Sequence, residues 1–295
     1  MRAHGIFSQT VVTHRVDFPV PYPLAPEELA ALEAGQDPEA VALERAIERG
    51  RHLVGSRYVC GDCHGESYGG GVMVDDPMVG TALGPNLTRG RGTRVSGYTP
   101  ADWDRAVRHG VLPDGTPSVM PSGDFLLMSD QELSDVIAYI GSLPPVDNEV
   151  PAKRLGPLGN MLVATGQLPV AAMLMDSHDE PHAELPPATE VSLEFGRHMA
   201  GVCTGCHGPD FSGGPIVGGD PSWAPARNIT LHPEGLAGWT YEDFETALRE
   251  GKRPDGTALA EPMTFVTPYA ANMTDVEMRA LWTYLQSVPA LPTGG

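Results

Sequence analysis

Two pentapeptides of the type C-x-x-C-H hold the residues of this chain that are best suited to chemistry. Their cysteines and histidines are Cys60, Cys63 and His64 in the first, and Cys203, Cys206 and His207 in the second. Two thiols at this spacing can add to the two vinyl groups of one porphyrin, and the adjacent histidine then becomes an axial ligand of its iron. The motifs use all four cysteines of the chain. The sequence therefore predicts two covalently bound haem c groups; the competing interpretation is a zinc or redox C-x-x-C pair beside a coincidental histidine.

Methionine is the expected second axial ligand, and two methionines occupy matching positions. Met120 and Met263 each follow the histidine of their motif by 56 residues (120 − 64 and 263 − 207). Both stand in Pro/Gly-rich segments after Pro-Asp-Gly, where a loop can fold over the opposite haem face and a thioether raises the reduction potential. Met128 and Met273 compete, but a hydrophobic residue just before a helix N-cap usually packs on the first helical turn. His109, close to the Met120 loop, is a further alternative ligand.

The sequence is an internal duplication. The two motifs are offset by 143 residues (203 − 60), and the other landmarks recur at nearly the same offset. The Pro-rich segment between the copies is too long for a loop inside one domain. We predict an N-terminal extension (1–38), a first domain (39–147), a Pro-rich linker (148–188), a second domain (189–290) and a tail (291–295). The landmarks are Asn86-Leu-Thr with Asn228-Ile-Thr, and Pro113-Asp-Gly with Pro254-Asp-Gly.

Each copy is expected to fold as about three main helices around one haem, which makes the fold class all-α. The apolar residues of helix three recur at i, i+3, i+4 and i+7, the pattern of one buried face. His52 and His198, on helix one, are expected to be partly exposed and directed away from the iron. Asn86 and Asn228 are expected to brace the loop before helix two. Helix one is predicted over Glu39–Val54 and Thr189–Ala200, helix two after Thr99 and Thr240, helix three after Ser129 and Thr274, and shorter helices near Glu27–Glu33 and Leu158–Leu168.

Charge and hydropathy restrict the partners and the location. The formal net charge is −19, and two ferric haems with four propionates bring it to roughly −21, which disfavours nucleic acid and anionic membrane surfaces. No apolar run of about 18 residues is present, and residues 1–25 lack the apolar centre of a signal peptide. Because haem c is attached after export, we expect a periplasmic or otherwise exported chain. It would be a mature form, or one whose export signal or N-terminal membrane anchor is missing.

With these motifs, the chain resembles the diheme c-type cytochromes built from tandem class I cytochrome c domains, of the bacterial periplasmic type. The likeness covers roughly residues 45–147 and 190–290. It implies haem attachment at the four cysteines and axial ligation by His64 with Met120 and by His207 with Met263. It also implies that helix one crosses helix three, with Gly50 and Gly196 permitting close contact near Tyr139 and Tyr284.

The expected function is single-electron transfer through two His/Met-ligated haems, as a free carrier or as the cytochrome subunit of a larger complex. Expected partners are redox proteins with positively charged docking patches: a dehydrogenase, a membrane cytochrome complex or a terminal oxidase. The alternative is a diheme enzyme such as a peroxidase, which needs one haem that can open to its substrate. Equal motif-to-methionine spacings favour two haems that are closed alike, and hence a carrier rather than an enzyme.

Overall fold

The computed structural model describes residues 3–220 and 222–294, and its described part is rich in helix, as the sequence predicts. The first domain and its extension contain α1 Ala3–Phe7, α2 Pro26–Ala30, α3 Pro38–Ser56, α4 Cys60–His64, α5 Pro100–Arg108 and α6 Asp130–Ser142. The linker contains α7 Pro157–Ala164. The second domain contains α8 Leu193–Ala200, α9 Thr204–His207, α10 Tyr241–Glu250, α11 Met263–Ala270 and α12 Asp275–Leu285. Short 3₁₀ helices lie at Ser122–Phe125, Ala171–Met173 and Gly201–Cys203.

Helices two and three of both copies begin where the capping residues predict. Thr99, Ser129, Thr240 and Thr274 each accept a hydrogen bond from the backbone N–H three residues later, at 3.1–3.3 Å. The acidic side chain at that later position accepts a bond from the N-cap residue in return, which completes a capping box. These local bonds fix the start of α5, α6, α10 and α12.

Helix one differs from its predicted bounds in both copies. In the first copy it runs over Pro38–Ser56, because Asp37 caps it and proline suits the first helical turn. In the second copy it begins at Leu193 rather than at residue 189, because the Ser192 hydroxyl accepts the N–H of Phe195 at 3.2 Å and caps the helix there.

A small antiparallel sheet, which the sequence did not indicate, lies beside the first motif. Its strands are β1 Gly71–Asp76, β2 Gly80–Gly84 and β3 Arg154–Leu155, in the order β1-β2-β3. β1 packs against α4, and β3 brings the linker onto the open edge of β2. Glycine starts β1 and both starts and ends β2, and β3 has only two residues, so the alternating pattern of a strand is weak in the sequence.

Helix one crosses helix three at a glycine in each copy, as the family resemblance implied. α3 packs on α6 and α8 packs on α12. A Cβ on Gly50 would collide with the carbonyl oxygen of Asp135 and lie 2.8 Å from Cβ of Tyr139. A Cβ on Gly196 would collide with the carbonyl oxygen of Ala280 and lie 2.6 Å from Cβ of Tyr284. The two crossings therefore depend on the absence of a side chain.

Replacing Gly50 with alanine is expected to lower the free energy of unfolding by about 1–3 kcal/mol, because the crossing helices must separate to admit the methyl group. Gly55 of the same helix is the matched control, since a Cβ there has no neighbour within 4 Å. Gly55→Ala should stabilise the protein by about 0.5–1 kcal/mol through helix propensity. Denaturant unfolding of both holoproteins checks the pair; equal effects would contradict the close crossing.

The predicted linker and N-terminal extension pack together on the first domain. Ala3 of α1, Val163 of α7 and Val170 form a small apolar core of their own. Farther along the extension, Phe18 and Tyr22 belong to the core of the first domain. The linker is thus a packed part of the structure. Within the ranges described, none of the helices has both the length and the apolar character that crossing a membrane requires.

Candidate functional site

Each motif histidine is held by a backbone carbonyl on the loop after its motif. Nδ1 of His64 lies 3.0 Å from the carbonyl oxygen of Pro85, and Nδ1 of His207 lies 2.7 Å from that of Arg227. A ring that donates from Nδ1 presents Nε2 as the ligand atom, and such second-shell bonds fix the orientation of metal-bound histidines. Burial lowers the pKa of both imidazoles, which favours the neutral ring that an iron ligand needs.

The two asparagines predicted to brace this loop do so in the same way in each copy. Asn86 donates from Nδ2 to the carbonyl oxygen of Val146 at 2.7 Å, and Asn228 donates to that of Leu291 at 2.7 Å. Their side-chain oxygens accept the backbone N–H groups of Thr88 and Thr230 at 2.9 and 2.8 Å. Each asparagine directly follows the residue whose carbonyl holds the histidine. The asparagines therefore fix the loop that orients the histidine, which explains why Asn-x-Thr recurs in both halves.

The surroundings of the cysteines suit haem attachment better than a thiolate site. The four cysteines are partly buried residues, and none is paired with another in a disulfide. Desolvation raises the pKa of Cys60 and Cys203 to about 12, whereas zinc binding and thiol–disulfide chemistry use the thiolate. Paired neutral thiols beside a histidine with a free Nε2 fit a haem c. The raised pKa disfavours a redox interpretation of the motifs, which needs a reactive thiolate.

The structure separates the methionines into two kinds. Met128 and Met273 lie in the two apolar cores at 1% and 8% exposure, where a residue before an N-cap is expected to pack. Met120 is partly buried against the first core and lies just before the 3₁₀ turn Ser122–Phe125. Met263 is the first residue of α11. The two candidate ligands thus stand on differently folded segments, which equal spacing in sequence did not indicate.

The two motifs lie at the interface between the domains, where each meets the methionine segment of the other copy. Tyr269, on α11, donates to Oδ1 of Asp62 in the first motif at 2.7 Å. The carboxylate of Asp124, in the 3₁₀ turn after Met120, occupies the space beside Gly205 of the second motif where a Cβ would stand. Since Asp62 and Gly205 are equivalent, offset by 143 (205 − 62), the domains meet with approximate two-fold symmetry.

His52 and His198 are part of this interface, and the prediction that both are ordinary, partly exposed side chains was wrong for His198. Nε2 of His198 lies 2.8 Å from Oε1 of Glu132, and both side chains are buried. Nε2 of His52 lies 2.9 Å from Oε2 of Glu277 and stays partly exposed. Arg57 is buried between the two acids, 2.7 Å from Glu132 and 3.9 Å from Glu277. Each partner is distant in sequence, so no local pattern reveals the contact.

Protein stability should fall as the pH drops from about 5 to about 2, because Glu132 loses its ionised contacts. Burial alone would raise its pKa, but His198, Arg57 and the backbone of Ser129 lower it to about 2. Because the pKa of Glu132 is lower in the folded protein than in the unfolded chain, its ionisation stabilises the fold fully above the unfolded-state pKa of 4.5. This stabilisation is lost as the pH falls through the folded-state pKa. The contribution is on the order of 3 kcal/mol. Denaturant titrations between pH 2 and pH 7 measure it, and Glu44→Gln, an exposed site, should leave it unchanged.

His109, the alternative ligand, has other partners in the described structure. Its ring lies in a cluster with His14, His178 and His182, at centroid distances of 5.1–5.2 Å. Burial, followed by the neighbouring histidines and Arg108, lowers its pKa to about 3. No local sequence pattern reveals this cluster, because its members come from the extension, the end of helix two and the linker.

Comparison with known proteins assigns both halves to the same type of domain. Residues 45–140 match the family model described as cytochrome c oxidase, cbb3-type, subunit III, and residues 196–289 match the model described as cytochrome c. The alcohol dehydrogenase (quinone) cytochrome c subunit of Gluconacetobacter polyoxogenes is 28% identical over 90% of this chain and 60% of its own length. The fructose dehydrogenase cytochrome subunit of Gluconobacter japonicus is 27% identical over 87% of this chain and 55% of its own length.

Another relative matches this chain over most of its own length. The diheme cytochrome c-type protein of Cereibacter sphaeroides is 26% identical over 79% of this chain and 82% of its own length. By contrast, the chain spans about 60% of the length of the dehydrogenase subunits. All three relatives are cytochromes or cytochrome subunits. The chain belongs to the diheme c-type cytochromes: it has two tandem cytochrome c domains, which imply two covalently bound haem c groups.

Proposed function

We propose that this chain transfers single electrons through two haems with His/Met ligation, His64 with Met120 in the first domain and His207 with Met263 in the second. The observation that supports this most strongly is the matching fixation of the two histidines, each oriented from Nδ1 by a carbonyl of the following loop. A carrier needs two centres of fixed geometry, and both halves of the chain hold their histidine in the same way.

The chain's own residues have distinct tasks in this proposal. Cys60 with Cys63, and Cys203 with Cys206, hold the two haems covalently. The histidines would present Nε2 to iron, and the thioethers of Met120 and Met263 would be the second ligands, which favour the ferrous state. When bound, the haems supply a one-electron couple, and the surrounding protein adjusts its potential through ligand identity, burial and nearby charge.

The domain interface supports electron transfer between the two halves. Both motifs face this interface. The first motif contacts α11, which begins at Met263, and the second contacts the 3₁₀ turn that follows Met120. The buried Arg57 and the two acids around it fix how one domain sits on the other. We therefore propose that an electron enters at one domain, crosses between the haems within the chain and leaves from the other.

The partner class follows from the relatives and from the charge. The relatives include cytochrome subunits of dehydrogenases, and we propose that this chain likewise accepts electrons from a dehydrogenase or passes them to a membrane complex or terminal oxidase. The net charge of −19 would direct it to positively charged docking patches. We place the protein in the periplasm or another exported location, where haem c is attached.

Ligand binding at iron tests the carrier against the peroxidase alternative. With both haems closed by methionine, the ferric holoprotein at neutral pH should bind cyanide slowly and should not react rapidly with peroxide. Stopped-flow absorbance in the Soret region measures both reactions. Rapid binding of cyanide to one haem only, with peroxide turnover, would overturn the carrier assignment.

A further inference from the structure

Four potential metal ligands converge at the contact between the N-terminal extension, helix two of the first domain and the linker. They are His14, Asp104, His109 and His182, and one donor atom from each lies within 4.8 Å of the others. Asp104 and His109 are buried, with side-chain exposures of 0% and 2%, and His182 is partly buried, with a side-chain exposure of 8%. The cluster lies on the side of α5 that faces the extension and the linker, and none of its members belongs to a haem motif.

Apart from one contact between two Nε2 atoms, the hydrogen bonds of the three imidazoles use Nδ1. That of His14 lies 3.2 Å from the carbonyl oxygen of His178, and that of His182 lies 3.1 Å from the carbonyl oxygen of Leu126. His178 donates from Nε2 to the carbonyl oxygen of Ala172 at 2.9 Å, so its own Nδ1 accepts from Nδ1 of His109 at 3.0 Å. In each uncharged ring, Nε2 is therefore a bare lone pair.

These lone pairs face one another without a proton between them. Nε2 of His109 lies only 3.2 Å from Nε2 of His182. Nε2 of His14 and Oδ2 of Asp104 are buried, and neither has a hydrogen-bond partner. The carboxylate lies 3.6 Å from the nearest ring nitrogens, too far for a hydrogen bond. Acceptors buried together in this way are costly unless a cation lies between them.

The charge around the cluster also favours a cation. Arg108 contacts only Oδ1 of Asp104, with Nε at 2.8 Å, which leaves Oδ2 for another partner. The same guanidinium contacts Asp130 at 2.7 Å. Two carboxylates against one guanidinium leave one negative charge beside the three imidazoles.

The second domain provides an internal comparison, because it keeps the arginine and lacks the cluster. Arg249 contacts Glu245 and the carbonyl oxygen of Met273, as Arg108 contacts Asp104 and the carbonyl oxygen of Met128. The position of His109 is taken there by Glu250 (109 + 141). The arginine-acid pair is thus part of the shared domain, whereas His109 occurs only in the first copy, and His14 and His182 come from the extension and the linker.

We propose that His14, Asp104, His109 and His182 bind one divalent transition-metal ion, with Zn²⁺ as the ion that the donors fit best. Three imidazole nitrogens and one carboxylate oxygen are ligands that zinc takes in tetrahedral sites without an open position. Their Nδ1–H groups already donate to fixed acceptors, the second-shell pattern of metal-bound histidines. The ion would attach the extension and the linker to α5, next to the Met120 segment, and its role would be structural.

The test uses the holoprotein with both haems in place, so that the motif histidines are occupied. After treatment with EDTA and desalting, the protein is incubated with ZnCl₂ and desalted again, and zinc and iron are counted by plasma mass spectrometry. We expect one zinc for every two irons, together with a higher melting temperature that EDTA reverses.

Three asparagine variants decide the assignment. His14→Asn and His182→Asn keep a side-chain N–H in the place of Nδ1 and lose Nε2; each should weaken zinc binding by at least the ~10–100-fold that loss of an outer-shell partner costs. His232→Asn, in the second domain, should bind zinc as the parent does. Haem absorbance confirms that each variant has folded. A parent protein that retains no zinc, or cluster variants that bind as much as the His232 variant, would overturn the proposal.

Discussion

Met120→Ala is expected to lower the reduction potential of one haem by on the order of 0.1 V or more while leaving the other haem nearly unchanged. Axial ligand identity sets haem potentials over about 0.8 V, and loss of a thioether removes the ligand that favours ferrous iron. The same variant should bind cyanide rapidly at one ferric haem, because under the proposed ligation that iron would lack its sixth ligand. A spectroscopic redox titration measures the first effect, and stopped-flow absorbance measures the second.

Met128→Leu is the matched control for this experiment. Met128 is eight residues farther along the chain (128 − 120) and lies in the first core at 1% exposure. A volume-conserving change there should cost less than about 1.5 kcal/mol of stability and leave both potentials in place. If the titration of the Met120 variant matched that of the parent while the Met128 variant shifted, the ligand assignment in the first domain would be wrong. Met263→Ala with Met273→Leu repeats the comparison in the second domain.

Glu132→Gln is expected to lower the free energy of unfolding at pH 7 by about 3 kcal/mol. Removing one member of a buried ion pair leaves its partner charged and uncompensated, which typically costs about 3–5 kcal/mol. Here the partners are Arg57, at 7% exposure, and His198 of the other domain. Glutamine preserves the capping box at the start of α6, since S/T-x-x-Q caps as well as S/T-x-x-E. Denaturant unfolding of the two holoproteins gives the difference.

Glu277→Gln is the symmetry-related control and should have a smaller effect. Glu277 lies 3.9 Å from Arg57, and its histidine partner His52 has a side-chain exposure of 37%, so water can compensate for the lost charge. The unfolding free energy of the Glu132 variant should also decrease much less than that of the parent between pH 5 and pH 2. Equal effects of the two variants, or none, would show that Arg57 does not depend on Glu132 as its main partner.

The sequence was informative wherever the physical cause is local. The helix starts after Thr99 and Ser129 follow from capping boxes that close within three residues. The haem attachment residues are predicted in the same local way, from C-x-x-C-H. Gly50 and Gly196 at the helix crossings were anticipated through the family resemblance. Asn86 and Asn228 recur because each stabilises the loop that holds its histidine.

Features that depend on contacts distant along the chain could not be foreseen. His198 meets Glu132 across the domain interface, 66 residues away in sequence, and no periodicity relates them. The histidine cluster joins His14 to His182, which come together only when the linker packs on the first domain. The linker was predicted from its prolines, but proline content does not show which surface such a segment will cover.

A potentiometric titration of the purified holoprotein, combined with mass spectrometry that counts the bound haems, tests the central claim most directly. The account predicts two covalently attached haems and two one-electron transitions, each with the spectrum of a low-spin haem ligated by histidine and methionine. A protein that carries one haem or none, or a haem that is high-spin in the ferric state at neutral pH, would contradict it.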